Sequence, residues 1–317
     1  MKKGKRILKV IGFLFILGLI FARLNLIFIR KANVKPMDMM NKIVGYFNEK
    51  EKHDVLFFGT SQAYTSFDTE FLAEKGLSSY VLATQQQPIE ASYYYIREAI
   101  KRSSPKLIYI DFLDVLTFNQ VDEGISHSYT DYFPMSVNKL LMIKQTLPKD
   151  QWAEHLMPLI KYHSRWKELD RTDIFAKWKD YHDDLNGFVK LTNDKNGVKD
   201  DPELNEILAT AVSKAGDNNF RQEKYEVLKK IYDYGNKKGV KVVFLKTPVY
   251  LEDLYDKNIG PLDDYLQSIG SKLLDLTKVS KEIDFEGKDY FDVLHFSGSG
   301  ARKCTEYFYE NYIVNDL

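Results

Sequence analysis

Two short segments at opposite ends of the chain hold the residue types that acyl chemistry needs. The first is Gly59-Thr60-Ser61-Gln62-Ala63, directly after the apolar run 54–58. A serine on a tight turn leaving a strand sits at the carboxyl edge of the sheet, where open α/β sheets bind ligands. A helix starting there would aim free backbone N–H groups at developing negative charge, as part of an oxyanion hole. Taken alone, this segment reads better as a structural turn, with Gly59 for backbone freedom and Ser61 as a helix cap.

The second segment, Asp292-Val293-Leu294-His295-Phe296-Ser297-Gly298-Ser299-Gly300, changes that balance. A serine hydroxyl is a weak nucleophile until a base takes its proton. Histidine is suited to that task near neutral pH, and a carboxylate fixes its tautomer and stabilises the imidazolium. Asp292 and His295, three apart on one loop, can both turn towards Ser61. Taken alone, His295 reads as a core or capping histidine, and Ser297 and Ser299 as helix caps. The two segments together point to a Ser–His–Asp relay.

Positioning such a relay requires a sheet and flanking helices. Short apolar runs at 54–58 (DVLFF), 80–83 (YVLA), 106–112 (KLIYIDF) and 241–245 (KVVFL) lack clean alternation, as strands covered on both faces should. Helical patterns cover 89–102, 221–238, 261–280 and 300–313. This alternation predicts an α/β fold with a doubly wound, mostly parallel sheet. Residues 113–220 break the pattern and are expected to form a helical insertion, a lid or a binding surface. Within it, Asn186-Gly187 and the polar run 193–201 mark turns.

The N-terminus has a different character. Lys2, Lys3, Lys5, Arg6 and Lys9 precede an apolar stretch from Val10 to Ile29, broken only by Gly12, Gly18, Arg23 and Asn25. Twenty helical residues rise about 30 Å, the thickness of a bilayer core. The basic start favours a cytoplasmic N-terminus and an external domain. A cleaved signal peptide is the alternative, but Phe21-Ala22-Arg23 is a poor cleavage site. Arg23 is expected to snorkel to the headgroups. The organisation read from the sequence is thus a cytoplasmic tip and anchor at 1–31, a connector helix at 32–52, and a catalytic domain at 53–317.

Composition excludes other classes. Lys+Arg 45 against Asp+Glu 45 leaves no net charge, which disfavours a general nucleic-acid binder. The single Cys304 excludes a disulfide scaffold and a cysteine-based zinc site. The sequence shows no calcium-loop spacing, phosphate loop or dinucleotide fingerprint, so neither metal nor cofactor is expected. His163 and Arg165, with Tyr162 and Trp166, suit contact with a sugar or anionic polymer, or else a packed lid helix. His127 is a weaker lid candidate; His53, His155 and His182 read as surface or core histidines.

The Gly59-x-Ser61 turn and Asp292-x-x-His295 together resemble the SGNH (GDSL-like) hydrolase superfamily, over roughly residues 53–315. That resemblance implies Ser61 as nucleophile, His295 as base and Asp292 as its orienting acid. The superfamily's second block offers an oxyanion-hole Gly and its third an Asn. Here Ala83-Thr84-Gln85-Gln86-Gln87-Pro88 and Asp111-Phe112-Leu113-Asp114 stand instead, leaving Gly59, Thr84, Gln85 and Gln86 as candidates for that role. With its anchor, the chain is similar to the proteins that work beside membrane-bound O-acyltransferases, in teichoic acid D-alanylation or alginate-type O-acetylation. The resemblance implies acyl transfer to a cell-surface glycopolymer. A plain esterase, or a scaffold that binds polymer or acyltransferase without chemistry, are the rival readings.

Overall fold

The computed structural model describes residues 2–117, 123–192, 198 and 202–317; most of the turn expected at 193–201 lies outside the described residues. Five parallel strands form one sheet: β1 (Val55–Gly59), β2 (Ser79–Ala83), β3 (Leu107–Asp111), β4 (Lys241–Lys246) and β5 (Leu273–Asp275), in the order β2-β1-β3-β4-β5. This is a doubly wound order with its switch point beside β1, where α/β sheets place their ligands. Every residue of β1, β2 and β3 is buried, which explains their unbroken apolar sequences.

Four strands fall where the apolar runs predicted them. The fifth lies inside the stretch 261–280, which the sequence pattern assigned wholly to helix. The helix there is Asp256–Ser268, and Gly270 (φ +80°) turns the chain into β5, which pairs with Phe244, Leu245 and Lys246. β5 has three half-buried residues at a sheet edge, too few for any periodicity to show.

Two helices, Ile89–Ser103 and Asn218–Lys238, pack against each other beside the sheet. The final helix, Gly298–Phe308, packs on the short helix Ser61–Ser66 that follows β1. Phe57 of β1 stacks on Phe67 at 4.2 Å between ring centroids, and Phe308 closes over both. Thr305 donates to Ser66 O at 3.0 Å and accepts from Asp68 N at 2.8 Å. These contacts bind the end of the chain to the first turn of the sheet.

Between β3 and β4 runs a series of short helices, among them Glu123–Thr130, Val137–Thr146, Trp152–Leu156 and Arg171–Phe175. Asn186-Gly187 forms the expected turn, and Asn186 O accepts from Val81 N at 2.8 Å. This return pass covers the outer edge of β2, which would otherwise offer an unpaired ladder. The connector helix is shorter than the pattern suggested, Met39–Asn48. Its Lys42 is buried against Asp38, Asp183 and Phe188 O.

Among the described residues one helix, Gly4–Phe28, is long and apolar enough to cross a membrane; most of its large apolar side chains from Ile7 to Phe21 are exposed, while Leu26 is buried. Its far end is held by the helical segments. Arg23 does not reach outward as expected: its guanidinium donates to the carbonyls of Ile174 and Ala176.

Candidate active site

The site begins with Gly59. A Cβ at this position would stand 2.6 Å from Asp111 O, and φ is +148°, so both space and backbone demand glycine. Gly59 therefore lets the chain pass close to β3 and turn. Thr60 caps the following helix, its Oγ1 accepting from Gln62 N at 3.3 Å. The cap is thus one residue earlier than the alternative reading of Ser61 proposed, and Ser61 becomes the first helical residue. Its N–H has no partner within the helix's own ladder.

The loop before the last helix is equally constrained. Tyr290 and Phe296 form an antiparallel bridge, and Phe291 N donates to His295 O at 2.8 Å. Asp292 Oδ1 accepts from Leu294 N at 2.8 Å and His295 N at 2.9 Å, an Asx turn that orients the carboxylate independently of the imidazole. Gly300 admits the close pass of helix and loop, since a Cβ there would lie 2.0 Å from Asp289 O. Ser297 and Ser299 tie this corner together through Lys288 O and Asp289.

The structure brings Ser61, His295 and Asp292 into one line. His295 Nδ1 lies 2.9 Å from both Asp292 oxygens, and His295 Nε2 lies 2.8 Å from Ser61 Oγ. A carboxylate can only accept, so Nδ1 carries the proton and Nε2 is left with a lone pair facing the Ser61 hydroxyl. Burial pushes the Asp292 carboxyl up, but the hydrogen bonds and charge of His295, with the two backbone donors, outweigh it and hold the group below its ordinary value. Asp292 thus stays ionised and able to stabilise an imidazolium.

Behind Ser61 lies a buried polar group that the sequence reading missed. Lys246, at the end of β4, donates to Gln62 Oε1 at 2.6 Å and to Thr247 O at 2.8 Å. Its ammonium is 3.7 Å from Asp111 Oδ2, with both side chains fully buried. Burial holds the Lys246 ammonium below its ordinary value, with Asp111 opposing. Asp111 also accepts from Thr247 N and Oγ1. Its carboxylate, in the segment 111–114 where the resemblance expects an Asn donor, is an acceptor tied to Thr247 and offers no proton to an oxyanion. The residues responsible lie at the ends of β3 and β4 and in the helix that follows β1, a grouping that only the sheet order reveals.

Several expected contacts are corrected. Thr84 is buried and its hydroxyl donates to Gln87 Oε1 at 3.1 Å, so its side chain is not an oxyanion donor. Gln85 and Gln86 form the turn after β2, Gln86 with φ +46°, at the same sheet edge as Ser61. Arg165 does not face substrate: its guanidinium donates to Phe28 O and Ile29 O at 2.7 and 2.6 Å, capping the last carbonyls of the apolar helix. His163 is exposed, its Nδ1 2.8 Å from Ile160 O, and contacts none of the three relay residues.

No family model matches the chain, and no curated protein matches it in sequence. Among solved structures, the acetyl xylan esterase AlAXEase aligns over 82% of this chain and 99% of its own, at 11% identity and a TM-score of 0.39. A candidate acylhydrolase of Bacteroides fragilis NCTC 9343 aligns over 90% and 98%, at 11% identity and a TM-score of 0.40.

Proposed function

We propose that the chain is a membrane-anchored enzyme that forms an acyl ester on Ser61 and passes the acyl group to a hydroxyl of a cell-surface glycopolymer. The observation that carries this reading is the 2.8 Å contact between Ser61 Oγ and the lone-pair nitrogen of His295, whose other nitrogen is held by Asp292. In the first half-reaction Ser61 Oγ attacks the donor's acyl carbon while His295 Nε2 takes its proton. The tetrahedral oxyanion collapses, and His295 returns the proton to the leaving group. In the second half an acceptor hydroxyl gives its proton to His295 and attacks the acyl carbon; as the bond to Ser61 Oγ breaks, His295 returns the proton to Ser61. The Ser61 N–H is the first oxyanion donor, with the 85–86 turn beside it.

The apolar N-terminal helix supports the membrane setting, and the basic flank supports an external domain. A membrane-bound O-acyltransferase would then deliver the acyl group, acetyl or D-alanyl. Hydrolysis is the second reading, and exposure favours it: the Asp292 side chain is 40% exposed and His295 21%, so water has access to the base. An enzyme that only transfers must keep water from its acyl-serine.

The test uses the full chain in detergent. A serine-directed fluorophosphonate is expected to label the wild type and not Ser61→Ala, with both melting within a few degrees of each other. Incubation with an acyl ester and an oligosaccharide then separates transfer (acylated sugar) from hydrolysis (free acid alone). Equal labelling of the Ser61→Ala variant overturns the assignment.

A further inference from the structure

Apart from the relay, a second cluster of chemically competent side chains lies between the helices Glu123–Thr130 and Trp152–Leu156. His127 and His155 stack with ring centroids 3.9 Å apart, and Glu154 Oε1 lies 4.0 Å from His127 Nε2 and 3.8 Å from His155 Nε2. The protonation of both rings follows from their other nitrogens. His127 Nδ1 is 2.8 Å from Asp131 Oδ1, a carboxylate that can only accept, so Nδ1 holds the proton. The Thr130 hydroxyl lies 3.0 Å from Ser126 O and 2.7 Å from His155 Nδ1; donating to the first, it accepts from the second and leaves His155 Nε2 with a lone pair. In that arrangement both Nε2 atoms present lone pairs on the side of the Glu154 carboxylate.

Acceptors that face one another in this way suit a cation between them. His127 is only 5% exposed and its Nε2 has no hydrogen-bond partner among the described residues. Ser126 Oγ lies 3.3 Å from His155 Nε2, a long contact that a cation would replace.

We propose that His127, Glu154 and His155 bind one divalent metal ion of the zinc class, with water completing the coordination. Tetrahedral ligands about 2.0–2.1 Å from zinc stand about 3.4 Å apart, so the Glu154 oxygen, 4.0 and 3.8 Å from the two nitrogens, needs to close by only about half an ångström. Two imidazoles and a carboxylate suit zinc better than calcium or magnesium, which prefer all-oxygen sets. Asp131 supplies the outer support typical of metal-bound histidines, and its second oxygen accepts from Tyr162 at 2.8 Å. Binding a metal would require the rings to tilt out of their 17° stack and the three ligand atoms to draw together. The metal would join two helices of the segment that packs against the membrane-spanning helix. His127 and the Glu154-His155 pair stand 27 residues apart without a metal-motif spacing, so nothing in the sequence marks them.

The test takes tag-free full chain in detergent, stripped with chelator and then dialysed against zinc. The expected result is one equivalent of zinc bound by the wild type, a rise in melting temperature, and cobalt d–d absorption of a four- or five-coordinate site. Glu154→Gln, at a partly exposed position, is expected to lose more than tenfold in zinc affinity while keeping its far-ultraviolet circular dichroism and elution volume. Asp131→Asn, a positioning change, should weaken zinc about 10–100-fold. A folded wild type that binds no zinc overturns the proposal, as does equal zinc binding by Glu154→Gln.

Discussion

Ser61 and His295 are 234 residues apart in the chain and 2.8 Å apart in space. The last helix brings them together by packing on the first βα turn, through Thr305 on Ser66 and Asp68 and through Phe308 on Phe57. The geometry of the Ser61–His295 contact and the packing of the core are therefore coupled in this corner of the fold.

That coupling separates the role of Asp292 from its structural part. Asp292→Asn retains an oxygen for the bonds from Leu294 N and His295 N, so the loop is expected to hold. Its amide, however, would favour the wrong tautomer of His295. Turnover of an ester substrate should fall by about 10³–10⁴-fold, with the melting temperature little changed. Steady-state kinetics beside a thermal melt give the answer; a loss under tenfold would remove Asp292 from the relay.

Gly59 is expected to tolerate no side chain. In Gly59→Ala the methyl carbon meets Asp111 O at 2.6 Å in a backbone conformation that L-residues avoid. The strain should cost about 1–3 kcal/mol and displace Ser61, so stability and fluorophosphonate labelling fall together. Urea unfolding of the variant within a few tenths of a kcal/mol of wild type would contradict this.

Much of this architecture is legible in the sequence, for physical reasons. Strands covered on both faces must be apolar throughout, so 54–58, 80–83, 106–112 and 241–245 stand out; β5, short and half-exposed, does not. The contact of Ser61 with Asp292-x-x-His295 is expected because a Ser–His–Asp relay draws on few residue types. Arg165 shows the opposite case. Its partners are main-chain carbonyls at Phe28 and Ile29, which carry no side-chain signature, so an arginine beside aromatics reads as a ligand contact instead. The Lys246–Asp111–Gln62 group is equally hidden, because its members meet only through strand order.

That buried group yields a prediction of its own. Lys246→Met leaves the Asp111 carboxylate buried without its cation and Gln62 Oε1 without a donor, and is expected to cost about 3–5 kcal/mol. Adding Asp111→Asn removes the unpaired charge and should recover part of that loss. Denaturant unfolding of the two single variants and the double variant forms the cycle; strict additivity would show that the two groups do not interact.

Lys139 supplies a dependence on pH. It is buried in the helix Val137–Thr146, its Nζ donates to Phe133 O at 3.2 Å, and its charge is felt by Asp131 and His155. Burial pushes the ammonium down to about 8, with Asp131 opposing. An unfolded lysine titrates near 10.4, so between about 8 and about 10.4 the unfolded chain holds a proton that the folded chain has released. Stability from this group therefore rises with pH across that window, and below about 8 the fold carries the cost of a buried charge. Lys139→Met removes that cost and should raise stability at pH 7 by about 1–3 kcal/mol. Urea midpoints measured from pH 7 to pH 10 should climb more steeply for the wild type than for the variant. Parallel curves would mean that Lys139 keeps its ordinary affinity for the proton despite its burial.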